Sequence, residues 1–284
     1  MSSLIENISD TAKWVAIFRA EESERPDAVF HDAFARRLAG EKGNEIANAV
    51  QFSRENSWSF TARTYLFDAF VKQHVQEGCD MIINLAAGLD ARAYRMDLPP
   101  DLKWVDADLP GIIEYKAEIL MDEKPKCDYS AIPIDLADKQ ARLQLFDQLN
   151  KECKKALIVT EGLMIYLTAE QAAELSADLS AHNHFYRWVF DIQSPALLKM
   201  ASEKMGAALT GSGAKFQFAP EEGESFFEKY GWKSLESRSK LKTALTLNRL
   251  SGDIKGFAEM PEPFGPIRQF PWSGVCLFEN IKAG

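Results

Sequence analysis

The stretch MIINLAAGLDARAYR, residues 81–95, joins an apolar run to a polar segment through a glycine. Its first seven residues are apolar except for one asparagine, as in a strand that is buried on both faces of a parallel sheet. Gly88 ends this run, and Asp90 and Arg92 fall in the first turn of a predicted helix. A turn of small residues lets the backbone approach a ligand closely, and a helix start offers unpaired N–H groups. The stretch therefore predicts a ligand site at the carboxyl end of this strand.

A second predicted strand, Lys103–Ala107, leads to carboxylates about twenty residues after Gly88. At the end of such a strand, Asp106 or Asp108 can accept hydrogen bonds from both hydroxyls of a ribose. The two strands together predict a cofactor that contains a nucleoside, without saying which one. The G-x-G-x-x-G pattern of dinucleotide-binding enzymes is absent from the sequence, which argues against NAD.

Strand and helix patterns alternate along the middle of the chain, which is typical of a doubly wound parallel sheet. The predicted strands are Met81–Ala86, Lys103–Ala107, Ala131–Asp135, Ala156–Glu161 and Arg187–Ile192. The helices predicted between them are Ala91–Arg95, Gly111–Leu120, Lys139–Asn150 and Ala169–Ser180. Two more strands, Trp232–Ser237 and Val275–Glu279, are predicted near the end of the chain.

The rest of the chain is predicted to complete one domain of four regions. Residues 1–77 form a helical cap in which Gly40 and Gly43 stop helices, and residues 78–194 form the cofactor-binding core. Residues 195–230 form an inserted lid, and residues 231–284 contain the last strands. The lid is expected to be mobile because glycines recur in it, at Gly206, Gly211, Gly213 and Gly223.

Composition excludes several classes of partner and location. The chain has 284 residues and a net charge of -9, which argues against nucleic acid as the main partner. No apolar stretch approaches the roughly 20 residues of a membrane span, and no signal peptide is evident. The four cysteines are scattered, without a C-x-x-C pair. We therefore expect a cytoplasmic protein with reduced thiols that binds neither membrane nor nucleic acid.

Five groups of residues together resemble the leucine carboxyl methyltransferase family, within the class I S-adenosylmethionine (SAM)-dependent methyltransferases. They are Asp10–Lys13 with Phe18–Glu21; Ala62–Thr64; Asn84–Arg92; Asp106–Pro110 with Lys116; and Thr160–Leu167. The chain is most similar to the bacterial branch, often described as O-methyltransferases of polyketide biosynthesis. The resemblance implies a Rossmann-like sheet of seven strands, the last antiparallel, with helical additions that cover SAM.

The resemblance also implies which residues bind SAM. Lys13 and Arg63 would hold the carboxylate of its methionine part, which Glu161 would face. Asp108 would take the ribose hydroxyls, with Asp106 beside it. The adenine would be bordered by Asp135 and Leu136, and the turn of Ala86, Ala87 and Gly88 would pass beneath the cofactor.

Some residues carry further expectations or a plainer alternative. The family usually has glycine where this chain has Ala86, and an added methyl there can weaken cofactor binding. Glu161 should have a partner, because a bare carboxylate after an apolar strand is costly. The plainer alternatives are a solvated arginine at Arg63 and helix capping by Asp106 or Asp108. For the H-x-H pair His182 and His184, a surface loop is favoured over a metal site.

The functional hypothesis is a SAM-dependent O-methyltransferase that acts on a small molecule, at a carboxylate. A carboxylate is ionised at neutral pH, so no general base is required, and we assign neither a catalytic residue nor a metal. Arg19 and Tyr166 are candidates for contact with the substrate. Other possible acceptors are a hydroxyl, a phenol or a protein C-terminus. Alternatives of another class are a nicotinamide-dependent oxidoreductase and a SAM-binding protein without turnover. The sequence predicts no oligomeric state.

Overall fold

A computed structural model describes residues 8–209, 215–261 and 270–283 of the chain, which are built around one seven-stranded sheet. The strand order is β3-β2-β1-β4-β5-β7-β6, in which β1 to β5 are parallel and β7 runs antiparallel to both of its neighbours. This topology confirms the predicted doubly wound sheet and its antiparallel last strand. The strands are β1 Met81–Leu85, β2 Lys103–Asp108, β3 Asp128–Pro133, β4 Ala156–Thr160, β5 Phe185–Gln193, β6 Trp232–Ser239 and β7 Ser273–Asn280.

Helices cover the sheet on both faces and extend over its carboxyl edge. Side chains fix several helix starts: Asp138 caps α7, Ser239 caps α10, and Thr168 and Gln171 form a capping box at α8. Short 3-10 helices span Met164–Tyr166 and Gly223–Tyr230. The α-helices are α1 Ile8–Ser23, α2 Ala35–Ala49, α3 Gln51–Glu55, α4 Ser57–Gln76, α5 Arg92–Arg95, α6 Pro110–Ile119, α7 Lys139–Glu152, α8 Ala169–Ser180, α9 Pro195–Leu209, α10 Lys240–Thr246 and α11 Asp253–Glu259.

The apolar residues of β1 pack in two hydrophobic cores, one on each face of the sheet. Every residue of β1 is buried, which explains its almost unbroken apolar sequence. Because strand side chains alternate between faces, Ile82 packs in the core that contains Phe67 of α4. Ile83 packs in the opposite core with Phe146 of α7. The sheet is therefore held rigidly from both sides, which fixes the positions of the strand ends.

The cap agrees with the prediction at one of two glycines. Gly40 has φ +60 and ψ -168, which are not helical, so one helical segment of α2 ends there and a second follows across the kink. Gly43 lies inside α2 and does not end it. A Cβ at this position would approach the carbonyl oxygen of Lys13 to 2.6 Å, so the glycine lets α2 pack closely against α1.

The region predicted as a lid is partly helical. Residues 195–209 form α9, which contains Gly206, and residues 223–230 form a 3-10 helix that begins at Gly223. Gly211 and Gly213 lie outside the described residues, and the lid remains a prediction. Between β6 and β7 the structure has α10 and α11, two helices that the sequence analysis did not predict. Within the described residues, no helix is both long and apolar enough to cross a bilayer.

Candidate active site

A cavity of about 610 Å³ runs along the carboxyl edge of the sheet. The strand ends reach it in spatial order, with Asp108 at the end of β2, Gly88 after β1, Glu161 after β4, Gln193 at the end of β5 and Ser239 at the end of β6. Helices α1, α3, α4, α9, α10 and α11 supply much of the remaining wall. The cavity therefore lies where ligands bind in open α/β sheets, and it extends across most of the width of this one.

The turn after β1 follows the predicted path along the cavity. Ala86, Ala87 and Gly88 all line it. Ala86 has φ +52, in the left-handed region that disfavours residues other than glycine, and its N–H donates to the Ala107 carbonyl at 2.8 Å. The N–H of Gly88 donates to the Asp108 carboxylate at 2.6 Å. The turn is thus fastened to β2 at two points, with a strained alanine between β1 and the glycine.

Asp108 presents a carboxylate to the cavity. Its two oxygens accept the N–H groups of Gly88 at 2.6 Å and Leu109 at 2.7 Å. A carboxylate oxygen has two lone pairs, so each can still accept one hydroxyl from a ligand. Burial raises the pKa of Asp108. No side chain caps α6, so the capping alternative is not realised at this helix.

The Asp106 carboxylate lies inside the protein and not in the cavity. Asp106 is fully buried in β2. Its oxygens accept from Lys116 at 2.6 Å, Trp104 at 2.8 Å, Asn84 at 2.9 Å and Tyr129 at 2.9 Å. These four donors come from α6, β2, β1 and β3, so Asp106 joins the elements that hold the turn and Asp108 in place.

Two arginines bind the carboxylate of Glu161, which confirms that this residue has partners. Arg63 Nε lies 3.0 Å from one oxygen, and Arg92 Nη1 lies 2.8 Å from the other. Arg63 also lies 3.5 Å from Asp191. Burial opposes ionisation of Asp191, but Arg63 and Lys240 outweigh it and lower the pKa of that carboxyl. Arg63 and Glu161 both line the cavity, where they offer a cation beside an anion.

Arg92 connects the Arg63–Glu161 pair to α4 and to the segment after β1 through further ion pairs. Its guanidinium pairs with Asp90 at 2.8 Å and with Asp68 of α4 at 2.6 Å. Arg95 of α5 binds Asp68 as well, at 2.6 Å. Although burial raises the pKa of Asp90, the nearby cations lower it further, so this carboxyl stays ionised. Such a connected set of paired charges fixes the directions of Arg63 and Glu161.

Besides Asp106, three residues assigned from the resemblance do not line the cavity. The Lys13 ammonium lies 3.8 Å from Asp10 and 4.7 Å from the centre of the Tyr115 ring. Asp135 is exposed beyond β3, where it accepts the N–H of Ala137 at 2.9 Å. The carbonyl of Leu136 accepts from Arg142 at 2.7 Å. Their roles in cofactor binding remain predictions.

The two candidates for substrate contact, Arg19 and Tyr166, both line the cavity. The Arg19 guanidinium is largely committed elsewhere, since it binds Asp32 at 3.0 Å and the Leu89 carbonyl at 2.5 Å. Arg19 therefore attaches α1 to the loop after β1. Burial raises the pKa of Tyr166, whose hydroxyl is hydrogen-bonded to Thr11.

The structure adds charged residues that the sequence analysis missed, among them Asp191 of β5 and Lys240 of α10. The Lys240 ammonium lies 3.7 Å from the Asp191 carboxylate, and both residues line the cavity. A carboxylate within the otherwise apolar run that ends β5 was a signal for Asp191. Lys240 had no such signal, because its place depends on the fold of a distant segment.

Apolar side chains from the cap and from the insertions form most of the remaining wall. They are Trp14, Val15, Phe52, Trp58, Phe60, Leu197, Leu198, Met200, Phe216, Leu241, Ile254, Phe257, Met260, Phe270 and Trp272. A large apolar surface with a few polar groups is typical of a pocket for a small organic ligand.

The two histidines of the H-x-H pair lie away from this cavity. His182 is buried rather than on the surface, with its ring nitrogens 2.8 Å from the Asp178 carbonyl and 3.1 Å from Asp147. His184 lies 2.7 Å from the Asn150 carbonyl. Among the residues that the structure describes, no cluster of three or more His, Cys, Asp or Glu side chains could hold a metal ion.

The sheet order, with its antiparallel β7, and the cavity at its carboxyl edge define the fold of the class I methyltransferases. A solved structure from Thermobifida fusca, provisionally named a methyltransferase, has the same fold. It superposes with a TM-score of 0.59 at 13% identity, over 96% of this chain and 95% of that chain. A likeness at this identity establishes the fold and not the activity.

Sequence comparison gives the family. The sequence pattern described as leucine carboxyl methyltransferase matches residues 12–180, which is more than half of the chain. The chain therefore belongs to the leucine carboxyl methyltransferase family.

Two relatives are provisionally named S-adenosyl-L-methionine-dependent methyltransferases. One, from Rhodococcus jostii, is 32% identical over 203 residues, which span 68% of this chain and 64% of that protein. The other, from Mycobacteroides abscessus, is 27% identical over 299 aligned positions, which span 97% of this chain and 96% of that protein. These names agree with the predicted cofactor, and they do not specify an acceptor.

Proposed function

We propose that this protein is a SAM-dependent O-methyltransferase that methylates a carboxylate of a small, largely apolar molecule. The observation that carries the proposal is the division of the cavity into a polar end and an apolar end. Asp108, the turn after β1 and the Arg63–Glu161 pair supply the polar groups, and side chains of the cap, of α9 and of the insertion between β6 and β7 supply the apolar wall. Membership of the family and the names of the relatives support SAM as the methyl donor.

The residues at the polar end fit the chemistry of SAM. Asp108 has acceptor capacity for ribose hydroxyls, and the turn of Ala86–Gly88 brings backbone close to the ligand. The methionine part of SAM carries both an ammonium and a carboxylate. Glu161 can bind the ammonium and Arg63 can bind the carboxylate, so the pair matches both charges. When bound, the cofactor supplies a methyl group that is already activated by its sulfonium.

The protein then has to position the acceptor and exclude water. A carboxylate is ionised at neutral pH, so its oxygen can attack without losing a proton. Correct alignment of two reactants can lower a barrier by roughly 7–11 kcal/mol in model systems. The charge network around Arg92 fixes the polar end, and the apolar walls keep water away from the oxygen that attacks. No step in this scheme requires a general base or a metal.

The test is a screen of aryl and alkyl carboxylic acids with methyl-labelled SAM. The expected product is a methyl ester, which mild alkali hydrolyses with release of labelled methanol. A phenol acceptor would give an aryl methyl ether that survives the same treatment. An alkali-stable product from the best acceptor would contradict the carboxylate assignment and leave the cofactor assignment intact. Failure of S-adenosylhomocysteine to bind in calorimetry would contradict the function as a whole. The further prediction of a role in polyketide biosynthesis depends on the acceptor that this screen finds.

A further inference from the structure

Lys240 is a cation of the cavity that lies near the edge of the sheet away from the proposed ribose anchor. It is the first residue of α10, directly after β6. In the strand order, β6 forms one edge of the sheet and lies five strands from β2, which carries Asp108. The side chain is only 9% exposed, and the residue lines the cavity. An ammonium buried at this place is costly unless it is paired.

The pairing of Lys240 within the protein is incomplete. Its Nζ lies 3.7 Å from Asp191 Oδ2, whereas a hydrogen bond of this type is usually about 2.7–3.2 Å long. That carboxylate is shared, because Asp191 also accepts the Gly162 N–H at 2.7 Å and lies 3.5 Å from Arg63. An ammonium has three N–H donors, so one long contact leaves capacity for an anionic ligand. Burial lowers the pKa of Lys240, in agreement with weak pairing.

The cap side of the cavity, in the part of the chain that the structure describes, also has polar groups without partners. The indole N–H groups of Trp14 and Trp58 and the hydroxyl of Ser53 are buried and find no hydrogen-bond partner among the described residues. All three residues line the cavity on the cap side. Around them and around Lys240 the wall is apolar, with Leu241 adjacent in sequence and Trp272 in the loop before β7. A ligand here would have an apolar body and a charged end.

We propose that Lys240 binds the carboxylate of the acceptor, holding one oxygen while the other attacks the methyl group. This inference rests on the proposed function. In the transfer, an O–CH3 bond forms as the S–CH3 bond breaks, the electron pair of that bond stays on sulfur, and no proton is released. The acceptor changes from an anion to a neutral ester, so Lys240 loses its partner when the product forms. Lys240 therefore distinguishes substrate from product and favours release of the ester.

The experiment uses calorimetry on the full chain saturated with S-adenosylhomocysteine. The probes are arylalkanoic acids from phenylacetate to phenylhexanoate, each compared with its own methyl ester. The best acid should bind the wild type about tenfold or more tightly than its ester, because an ionised hydrogen bond is lost in the ester. Lys240→Met should remove this preference, and Lys240→Arg should retain it.

Lys242→Met is the matched control. Lys242 is in the same helix and lines the same cavity, but its ammonium donates to the carbonyls of Ala258 and Met260. This variant should therefore keep the preference for the acid. The proposal would be overturned if no acid in the series bound the wild type more tightly than its ester, or if Lys240→Met kept the preference. Weaker binding of S-adenosylhomocysteine itself in Lys240→Met would place Lys240 in the cofactor site. If the wild type bound no S-adenosylhomocysteine, the proposed function would fail instead.

Discussion

The two ends of the cavity are encoded differently in the sequence. The polar end is built mainly from Asn84, residues 86–90, Arg92, Asp108 and Glu161, which lie at or soon after the ends of β1, β2 and β4. The apolar end is built from the cap, from α9 and from the insertion between β6 and β7, which are far apart in the chain. A site at strand ends can be derived from short patterns, because the sheet fixes where those ends lie. A wall made of distant helices can be derived only when their packing is known.

Asp106 and Asp108, both in β2, show that neighbouring carboxylates can have separate tasks. The first is buried with four donors, and the second faces the cavity with spare lone pairs. Asp106 holds β2 in place, and β2 carries Asp108, so the polar end of the cavity depends on both residues. Replacing each of the two aspartates in turn should separate a loss of stability from a loss of cofactor binding.

Asp106→Ala should give the largest effect, and it should be an effect on stability. The change leaves Lys116, which is 2% exposed, without its carboxylate partner at 2.6 Å. Loss of one partner from a buried ion pair costs about 3–5 kcal/mol. Denaturant unfolding should show this loss, and the exposed control Asp135→Ala should change stability by less than about 0.5 kcal/mol. An Asp106 variant as stable as the wild type would mean that β2 does not depend on this residue.

Asp108→Ala should instead weaken cofactor binding by roughly ten- to a hundredfold, which corresponds to about 1.5–3 kcal/mol for hydrogen bonds to a charged group. The unfolding free energy should change less than in Asp106→Ala, since burial already disfavours the Asp108 carboxylate. Calorimetry with S-adenosylhomocysteine measures the affinity. Unchanged affinity in the folded variant would remove Asp108 from the ribose site.

The pH dependence of the same affinity sharpens this assignment. Burial raises the pKa of Asp108, so its protonation on acidification begins at a higher pH than for an ordinary aspartate. A protonated carboxyl loses acceptor capacity, so the affinity for S-adenosylhomocysteine should fall as pH falls through that pKa. The Asp108→Ala variant lacks this titration and should show a flatter profile. Parallel profiles in both proteins would assign the titration to another group.

Arg63→Ala and Lys13→Ala separate a residue that lines the cavity from one that does not. Arg63 contacts Glu161 at 3.0 Å inside the cavity, whereas the ammonium of Lys13 lies over Tyr115 outside it. We expect Arg63→Ala to lower the affinity for S-adenosylhomocysteine about tenfold and to leave the affinity for adenosine nearly unchanged. Lys13→Ala should have the smaller effect on both ligands. Equal losses for the two ligands in Arg63→Ala would indicate a structural role.

The fold was predictable because the strands that form it are apolar and local. Met81–Leu85 was predicted to within one residue, since every position of it is buried. The edge strand Asp128–Pro133 was placed about three residues too late, because its residues are mostly exposed and show no apolar pattern. Helices α10 and α11 were missed since each has only seven residues. Short helices of this kind depend on packing against the rest of the protein more than on their own sequence.

The candidate site was predictable only in part, namely where its residues lie in local patterns at the ends of strands. Asp108, Glu161 and Arg63 were assigned from patterns around strand ends or from the family resemblance, and the structure brings all three to one cavity. Asp191 and Lys240 belong to the same cavity, but 48 residues, at positions 192–239, lie between them in the chain. Charged residues that come together only when the sheet has formed cannot be predicted from a short stretch of sequence.

Ala86→Gly should produce the smallest effect. This substitution tests the turn after β1, at the polar end of the cavity. Ala86 has φ +52, a conformation that costs an L residue about 1–2 kcal/mol and costs glycine almost nothing. Glycine loses more freedom on folding, by about 0.5–1 kcal/mol, so the two effects nearly cancel and the unfolding free energy should change by less than about 1 kcal/mol. Ala86 borders the cavity, so removal of its methyl group should raise the affinity for S-adenosylhomocysteine by a few-fold. Weaker binding in the glycine variant would show that the methyl contacts the cofactor favourably, and that this chain has adapted its turn to alanine.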